Sequence, residues 1–567
     1  MRRAVVIVIA AYLLLVLIDR FVLVELLFER IGIPLLFAAA AALACIGAGM
    51  LAMRGRRDPV LNLVIGYPLF GTLCFLVALV RISPWTLVPV IGVLGGFGIV
   101  SLAAAGRNLS ALRPSAPLVA VAIALVFLAA FIAAQAPPTT LDELAYHLAV
   151  PWTWVKAGHA IELPLNSHSY FPMGVESADL PFLAILGQTA GGIASHLLHW
   201  IAALAVTALL LRTAKDCPIL AAAIVVTPAL AVTAGWSLVD WPLLGVSLVF
   251  VEALDSDDRP AAAAALAAGL LVKYTFIPLA LIGLVVTRRF RGLWPGLIAG
   301  SVFLVRNAVL TANPVAPFFT ALAPHVSSYR AGAFLSDYVF AGNFVDESLG
   351  ASMWMACTLV TGLLSWALVG AGALLFLLAP SSRVLVPFFA VPAARAGSPN
   401  RPMRVLLAVA IAVQLLLIGW FSNRGGAFGL MAGSVSDEQY LAGARASIPL
   451  VMGVDAMLPA DSRTLVVGLS ETYWFQHDVR GGGNFDGPRV SNYLQAGSAE
   501  ALYSKLKRDG FTHVAVLSAP PPTRVQKKIE ERETALSPEA KRTLALTLDA
   551  YAANVTSRGG ATLFALR

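Results

Sequence analysis

The sequence predicts a polytopic α-helical membrane protein, with about 11 to 13 spans including a re-entrant pair, followed by a small soluble α/β domain. Three observations lead there. Hydrophobic residues make up 58% of the 567 positions and charged ones only 13%, roughly half the charged share of a soluble protein. Apolar runs long enough to cross about 30 Å of hydrocarbon recur along most of the chain. From Ser422 onward the charge density becomes ordinary, with 16 basic and 14 acidic residues. A soluble globular protein is therefore excluded. In a polar protein the net charge of +8 would suggest nucleic acid. Here it is the lysine and arginine bias of membrane loops, and no nucleic-acid partner is expected. Cys45, Cys74, Cys217 and Cys357 lie in or beside apolar runs without metal-ligand spacing, so neither a disulfide framework nor a zinc site is indicated.

Spans begin near Ala4, Ile31, Val60, Trp85, Pro117, Ile193, Ile219, Trp241, Pro295, Met353 and Val405. The first follows Arg2 and Arg3 and runs into DRFVLVELLFER without a small-residue cleavage site, as an uncleaved anchor does. Span counting puts Arg2/Arg3, Arg54/Arg56/Arg57, Arg107/Arg113, Arg212/Lys215, Arg288/Arg289/Arg291 and Arg383/Arg395/Arg401/Arg404 on one side, which the positive-inside bias makes cytoplasmic. The N terminus is then cytoplasmic and the tail periplasmic or extracellular, in a bacterial inner membrane. The divisions are a four-span region 1–116, a membrane module 117–421 with outer loops 136–181 and 306–352, and a soluble domain 422–567. Between the DSDDR loop and Arg288 lie about 28 residues, too few for two crossings. Two half-length arms would meet near Lys273, placing its ammonium at membrane depth, unless it simply reaches a nearby interface. In the tail, TLVVGLS, THVAVLS and TLFALR have strand character. EALYSKLKRDG is an amphipathic helix ending at Gly510, and KKIEERE a solvated helix face.

The candidate chemistry lies in the outer loops. In APPTTLDELAYHLAVPWTWVKAGH, a helix starting after Thr140 would align Asp142 with Tyr146 and Glu143 with His147 at i,i+4. Such carboxylates suit deprotonation of a hydroxyl or ligation of a divalent cation. Equally, acids in a first turn are what a helix dipole favours. Asp240 in GWSLVDWPLLG opens a later span, as a ligand or a helix cap, beside Trp236 and Trp241, which suit an interfacial belt. Arg306 and Asn307 end another span; the arginine would bind phosphate bidentately or anchor the helix at headgroups. His168 and Glu176 share the long loop, where a lone histidine is usually solvated. His196 and His199 have no third ligand and suit a structural role.

These segments, taken in order, resemble the GT-C membrane glycosyltransferases, a group that includes protein O-mannosyltransferases and lipid A aminoarabinose transferases. The likeness is carried by DELAYHLAVPWTWVKAGH with SYFPMG, by VDWPLL, by GLLVKYTFIP and by RN…NPVAPF, and extends from about Pro117 to the C terminus. Four spans precede the one leading into the acidic loop, where members commonly start, and YFPMG stands in place of the aminoarabinose-type KPPL.

The resemblance implies an inverting transfer from a polyprenyl-phosphate sugar donor to a hydroxyl of a glycan, lipid or protein acceptor on the outer face. Asp142 would be the base, with Glu143 and Asp240 as supporting carboxylates. Tyr146, His147, His168, Glu176, Lys273, Arg306 and Asn307 would line the donor and its phosphate. A divalent cation such as magnesium or manganese, held by Asp142, Glu143 and Asp240, is admitted but not required, and no nucleotide cofactor is expected. The alternative from another class is a lipid-linked sugar transporter or flippase, or another polytopic envelope protein. Such proteins often show duplicated halves and charges within several spans. Apart from Lys273, the charges here lie near the membrane faces.

Overall fold

The computed structural model describes residues 30–105, 117–318, 349–378, 382–424, 426–483, 486–518 and 535–567. The anchor from Ala4, the Arg107/Arg113 loop, most of 306–352 and the KKIEERE run lie outside them.

The chain is a multi-pass membrane protein with a small C-terminal sheet domain. Helices α1 (Ile33–Ala52), α2 (Pro59–Ala78), α3 (Pro84–Ala105) and α4 (Pro117–Ala134) are long and apolar enough to cross a bilayer. Three of them start on proline, which needs no amide partner at a first turn. Asp58 caps α2 by accepting from Val60 and Leu61. The outward surfaces stay greasy: Val93 and Ile99 on α3 are 64% and 58% exposed, as lipid-facing side chains are.

Helix α5 (Leu180–Thr213) forms the spine, and α1 and α2 pack along it, so the N-terminal spans do not stand apart from the rest. After a bent pair, Pro218–Val225 and Pro228–Gly235, comes α6 (Asp240–Asp255). Trp241 is buried, its indole donating to the Leu230 carbonyl at 2.9 Å, and is therefore a core residue rather than part of an interfacial belt.

The short arms expected around Lys273 are α7 (Arg259–Val272) and α8 (Phe276–Thr287). Each is about 20 Å long at 1.5 Å per residue. Lys273 sits between them in extended backbone.

The stretch after Met353 is divided more finely than its hydropathy suggests. One crossing was expected; three apolar segments occur, Gly350–Cys357, Leu363–Leu378 and α9 (Ser382–Ala394). Gly362, at φ +83°, turns the chain inside an otherwise continuous apolar run, a break that summed hydropathy does not register. The two extra segments preserve the parity of the tail but move Arg383. It lies at the opposite end of α9 from Arg395, which pairs with Asp255. Arg383 therefore does not belong with Arg395, Arg401 and Arg404. Helix α10 (Arg401–Arg424) then leads into the C-terminal domain.

That domain is a five-stranded sheet of order β2-β1-β3-β5-β4. Strands β1 (Arg463–Val467), β2 (Asp478–Gly481) and β3 (His513–Leu517) are parallel. Strands β4 (Ala552–Arg558) and β5 (Ala561–Leu566) continue the sheet antiparallel. The amphipathic helix Ala499–Arg508 is followed by Gly510 at φ +81°.

The domain is clamped to the 136–181 segment largely through main-chain atoms. The amides of Thr472 and Tyr473 donate to the Leu144 carbonyl at 2.9 and 3.1 Å. Trp152 donates to the Phe475 carbonyl at 3.0 Å, and Lys156 to those of Phe475 and His477 at 2.9 and 2.6 Å. Asp486 accepts from the Ser167 amide at 2.9 Å. The expected outer loop is thus a buried layer between bundle and sheet, and the domain marks one end of the bundle as capped. Trp152→Ala should cost about 3 kcal/mol and speed proteolytic release of the domain from the detergent-solubilised protein. An unchanged digestion time course would refute this docking.

Candidate active site

The acidic pair begins the buried layer. The Glu143 carboxylate reaches back to Thr140, accepting from its amide at 3.1 Å and its hydroxyl at 2.7 Å. The turn Glu143–His147 is π-helical, closed by the Leu148 amide on the Glu143 carbonyl. The wider turn undoes the expected alignment of Glu143 with His147, which assumed 3.6 residues per turn. The two instead face different partners.

Glu143 is fully buried and turned into the bundle. Its Oε1 accepts from His196 Nε2 and from the Ser237 amide, each at 2.7 Å. Burial alone would raise its pKa, but His196, the Ser237 amide and Thr140 outweigh it and hold the group at about 2. Glu143 ties the loop to α5 and to the segment before α6. His199 is similarly structural, 3.0 Å from the Tyr67 hydroxyl.

Asp142 points the other way. Its side chain is 22% exposed, against 0% for Glu143 and 2% for Asp240. Arg383 pairs with the Asp142 carboxylate, and its Nε lies 3.5 Å from Asp240 Oδ2. Two carboxylates from different elements thus share one guanidinium. Burial pushes the Asp142 pKa up; Arg383, then His147 and His168, more than reverse this and hold it at about 2. Asp240 Oδ1 is buried with no hydrogen bond among the described residues.

An aromatic wall stands beside this centre. Tyr146 stacks on His168 with ring centroids 4.4 Å apart, and His147 lies against the same tyrosine at 4.0 Å. Glu176 Oε1 accepts from His147 Nδ1 at 2.8 Å. His168 is 5% exposed, not solvated as a loop histidine was expected to be. Burial depresses its pKa, as do the nearby charges of His147 and Lys273, against Asp486 and Asp142. The turn carrying Lys273 meets the same loop, where the Gly174 amide donates to the Leu271 carbonyl at 3.0 Å. The Lys273 tip is fixed by Tyr274, whose hydroxyl donates to the Tyr170 carbonyl at 3.1 Å.

Arg306 and Asn307 hold the SYFPMG loop. Arg306 donates to the Ser169 carbonyl at 2.6 Å and lies over the Phe75 and Phe303 rings. Asn307 donates to the Tyr170 carbonyl and the Tyr274 hydroxyl at 2.6 and 2.7 Å. These bonds position the loop and engage the Arg306 Nε and one of its terminal nitrogens. The structure thus gathers Asp142, Asp240, Tyr146, His147, His168, Glu176 and Lys273, and adds Arg383, which sequence reasoning placed on the other face. The available clue was a lone arginine bounded by apolar runs, separated by eleven residues of α9 from the next arginine.

Among known structures, the chain is similar to two crystal structures of ArnT from Cupriavidus metallidurans. The one bound to undecaprenyl phosphate shows 14% identity and a TM-score of 0.44, covering 79% of this chain and 97% of that one. The apo structure gives the same identity and score, covering 82% and 98%. No protein-family profile and no curated relative matches the sequence.

Replacing Glu143 by alanine should destabilise the protein by about 3 kcal/mol at pH 7, because the folded-state pKa lies roughly two units below the unfolded one. A depressed carboxylate contributes fully above its unfolded pKa, near 4.5. The deficit of the variant should therefore shrink as pH falls from 4.5 towards 2. Denaturation in detergent across that range checks both the size and the sign.

Proposed function

We propose that this protein is an integral-membrane glycosyltransferase that moves a sugar from a polyprenyl-phosphate donor to an acceptor hydroxyl, with inversion at the anomeric carbon. The observation that carries the reading is the guanidinium of Arg383, shared by Asp142 and Asp240 at the capped end. A cation held by two carboxylates is also a ready partner for a phosphodiester, which presents the same planar pair of acceptor oxygens.

Donor entry would transfer Arg383 from Asp142 to the phosphate. Asp142, relieved of the charge that keeps it a weak base, then takes the proton of the acceptor hydroxyl. The hydroxyl oxygen bonds to the anomeric carbon as that carbon's bond to the phosphate oxygen breaks. The polyprenyl phosphate leaves with a second negative charge, which Arg383 and Lys273 stabilise. Asp240 keeps Arg383 within reach, and Tyr146, packed against His147 and His168, walls the centre. The acceptor, whether glycan, lipid or protein, approaches from the side of the C-terminal domain. The open end keeps Arg54, Arg56, Arg57, Arg212 and Arg395, so the charge bias puts the capped end outside the cytoplasm.

A divalent cation is not well matched to these residues. Arg383 fills the space between Asp142 and Asp240, Glu143 is committed to His196, and no group of three such ligands occurs among the described residues. No step above runs through a metal.

With purified protein and a labelled polyprenyl-phosphate sugar, Asp142→Asn should lower turnover by about a thousandfold while donor binding persists. Arg383→Gln should instead weaken donor binding by roughly tenfold or more. Wild-type-like turnover in Asp142→Asn removes Asp142 as the base. Glycan profiles of cell envelopes with and without the protein should differ by one sugar, and identical profiles would overturn the reading.

A further inference from the structure

The open end of the bundle carries a cavity of about 410 Å³ that plays no part in the transfer described above. It is lined by four arginines, Arg259, Arg288, Arg289 and Arg291, against one acid, Asp257. Asp257 is already 3.6 Å from Arg259, and Arg289 donates to the Leu254 carbonyl. Arg288 and Arg291 make no ion pair or side-chain hydrogen bond among the described residues, although Asp255 and Asp258 close by are each held by another arginine. One of these cations is held at some strain. Arg288 occupies the left-handed region, at φ +54°, where glycine is the usual choice. Glycine at the end of α8 would relieve the backbone and lose the charge.

The surroundings indicate the source of a counter-charge. Phe290 and Trp294, 56% and 66% exposed, flank the arginines in sequence, and exposed aromatic side chains of this kind suit a lipid headgroup region. Below them run exposed apolar positions: Leu281 and Val285 on α8, and Leu297 and Ile298 on the next helix, all at least 52% exposed. A molecule with its phosphate among the arginines would lay acyl chains along these side chains. A free phosphate uses only the arginines and leaves the aromatic rim and the apolar track without a role.

We propose that this cavity is a binding site for the phosphate headgroup of an anionic membrane lipid, with Arg288 and Arg291 as its principal ligands. The proposal does not depend on the transferase reading, since the site is at the opposite end of the bundle.

The test is native mass spectrometry of the full-length protein released from nanodiscs containing phosphatidylglycerol, phosphatidylcholine or both. Wild type should retain one phosphatidylglycerol in preference to phosphatidylcholine. The Arg288→Gln/Arg291→Gln double variant should retain roughly tenfold less. The control Arg54→Gln/Arg57→Gln, at the same end but outside the cavity, should retain as much as wild type. Equal loss in both double variants would reduce the effect to diffuse surface charge and sink the site, as would undiminished retention in the first. Displacement of the lipid by millimolar inorganic phosphate would overturn the lipid assignment in favour of a free anion. Should the double variant fail to fold, Arg291→Gln alone, at an exposed position, decides by the same readout. Sugar-transfer assays on the same preparations keep this outcome separate from that of the transferase reading.

Discussion

A fully buried carboxylate has to be satisfied from every side, and Glu143 shows how much geometry that requirement organises. Its two oxygens accept from Thr140, His196 and the Ser237 amide. These partners come from the start of the loop, from the middle of α5 and from the segment leading into α6. Moving any of the three would strand a charge in a low-dielectric interior, a cost several times that of a typical hydrogen bond. The adjacent residue inherits the result. With Glu143 pinned inward, Asp142 is held at the edge of the bundle, facing Asp240 and the end of α9.

The rest of the centre is assembled around that fixed edge by elements with little freedom of their own. The SYFPMG loop is held by Arg306 and Asn307, and the Ser167 amide just before it donates to Asp486. Gly71 on α2 lets the loop sit against the helix, since an added Cβ there would collide with the Gly174 carbonyl. The Lys273 tip meets the same loop through Tyr274. Four separate parts of the chain thus deliver charge to one place while their side chains are locked by packing. Such preorganisation means that these groups need not reorient when a charge appears among them.

Much of this was legible in the sequence where the cause is local. The acidic pair, the aspartate opening α6 and the short arms meeting at Lys273 all follow from residue type and run length. So do β1, β3, β5 and the helix ending near Gly510. What was not legible depends on contacts far apart in sequence or on backbone detail. The π-helical turn that separates Glu143 from His147 has no compositional signature. His168 looked solvated because loop burial is decided by the domain that covers it. Arg383 was misplaced because Gly362 folds an apolar stretch that hydropathy treats as one span. Strands β2 and β4, with sequences DVRG and AANVTSR, have too little alternation to stand out and exist because neighbouring strands offer an edge.

The manner in which the C-terminal domain grips the loop bears on how such a protein can vary over time. Leu144, Phe475 and His477 take part through their carbonyls, and Thr472 and Tyr473 through their amides. Main-chain groups are the same whatever side chain is attached. Selection can therefore act on the shape of this joint while leaving the identity of many residues in it free to drift. Two descendants could dock their domains alike yet share few letters across the junction, and the junction would preserve the placement of the acidic loop through substitutions that erase its sequence signature.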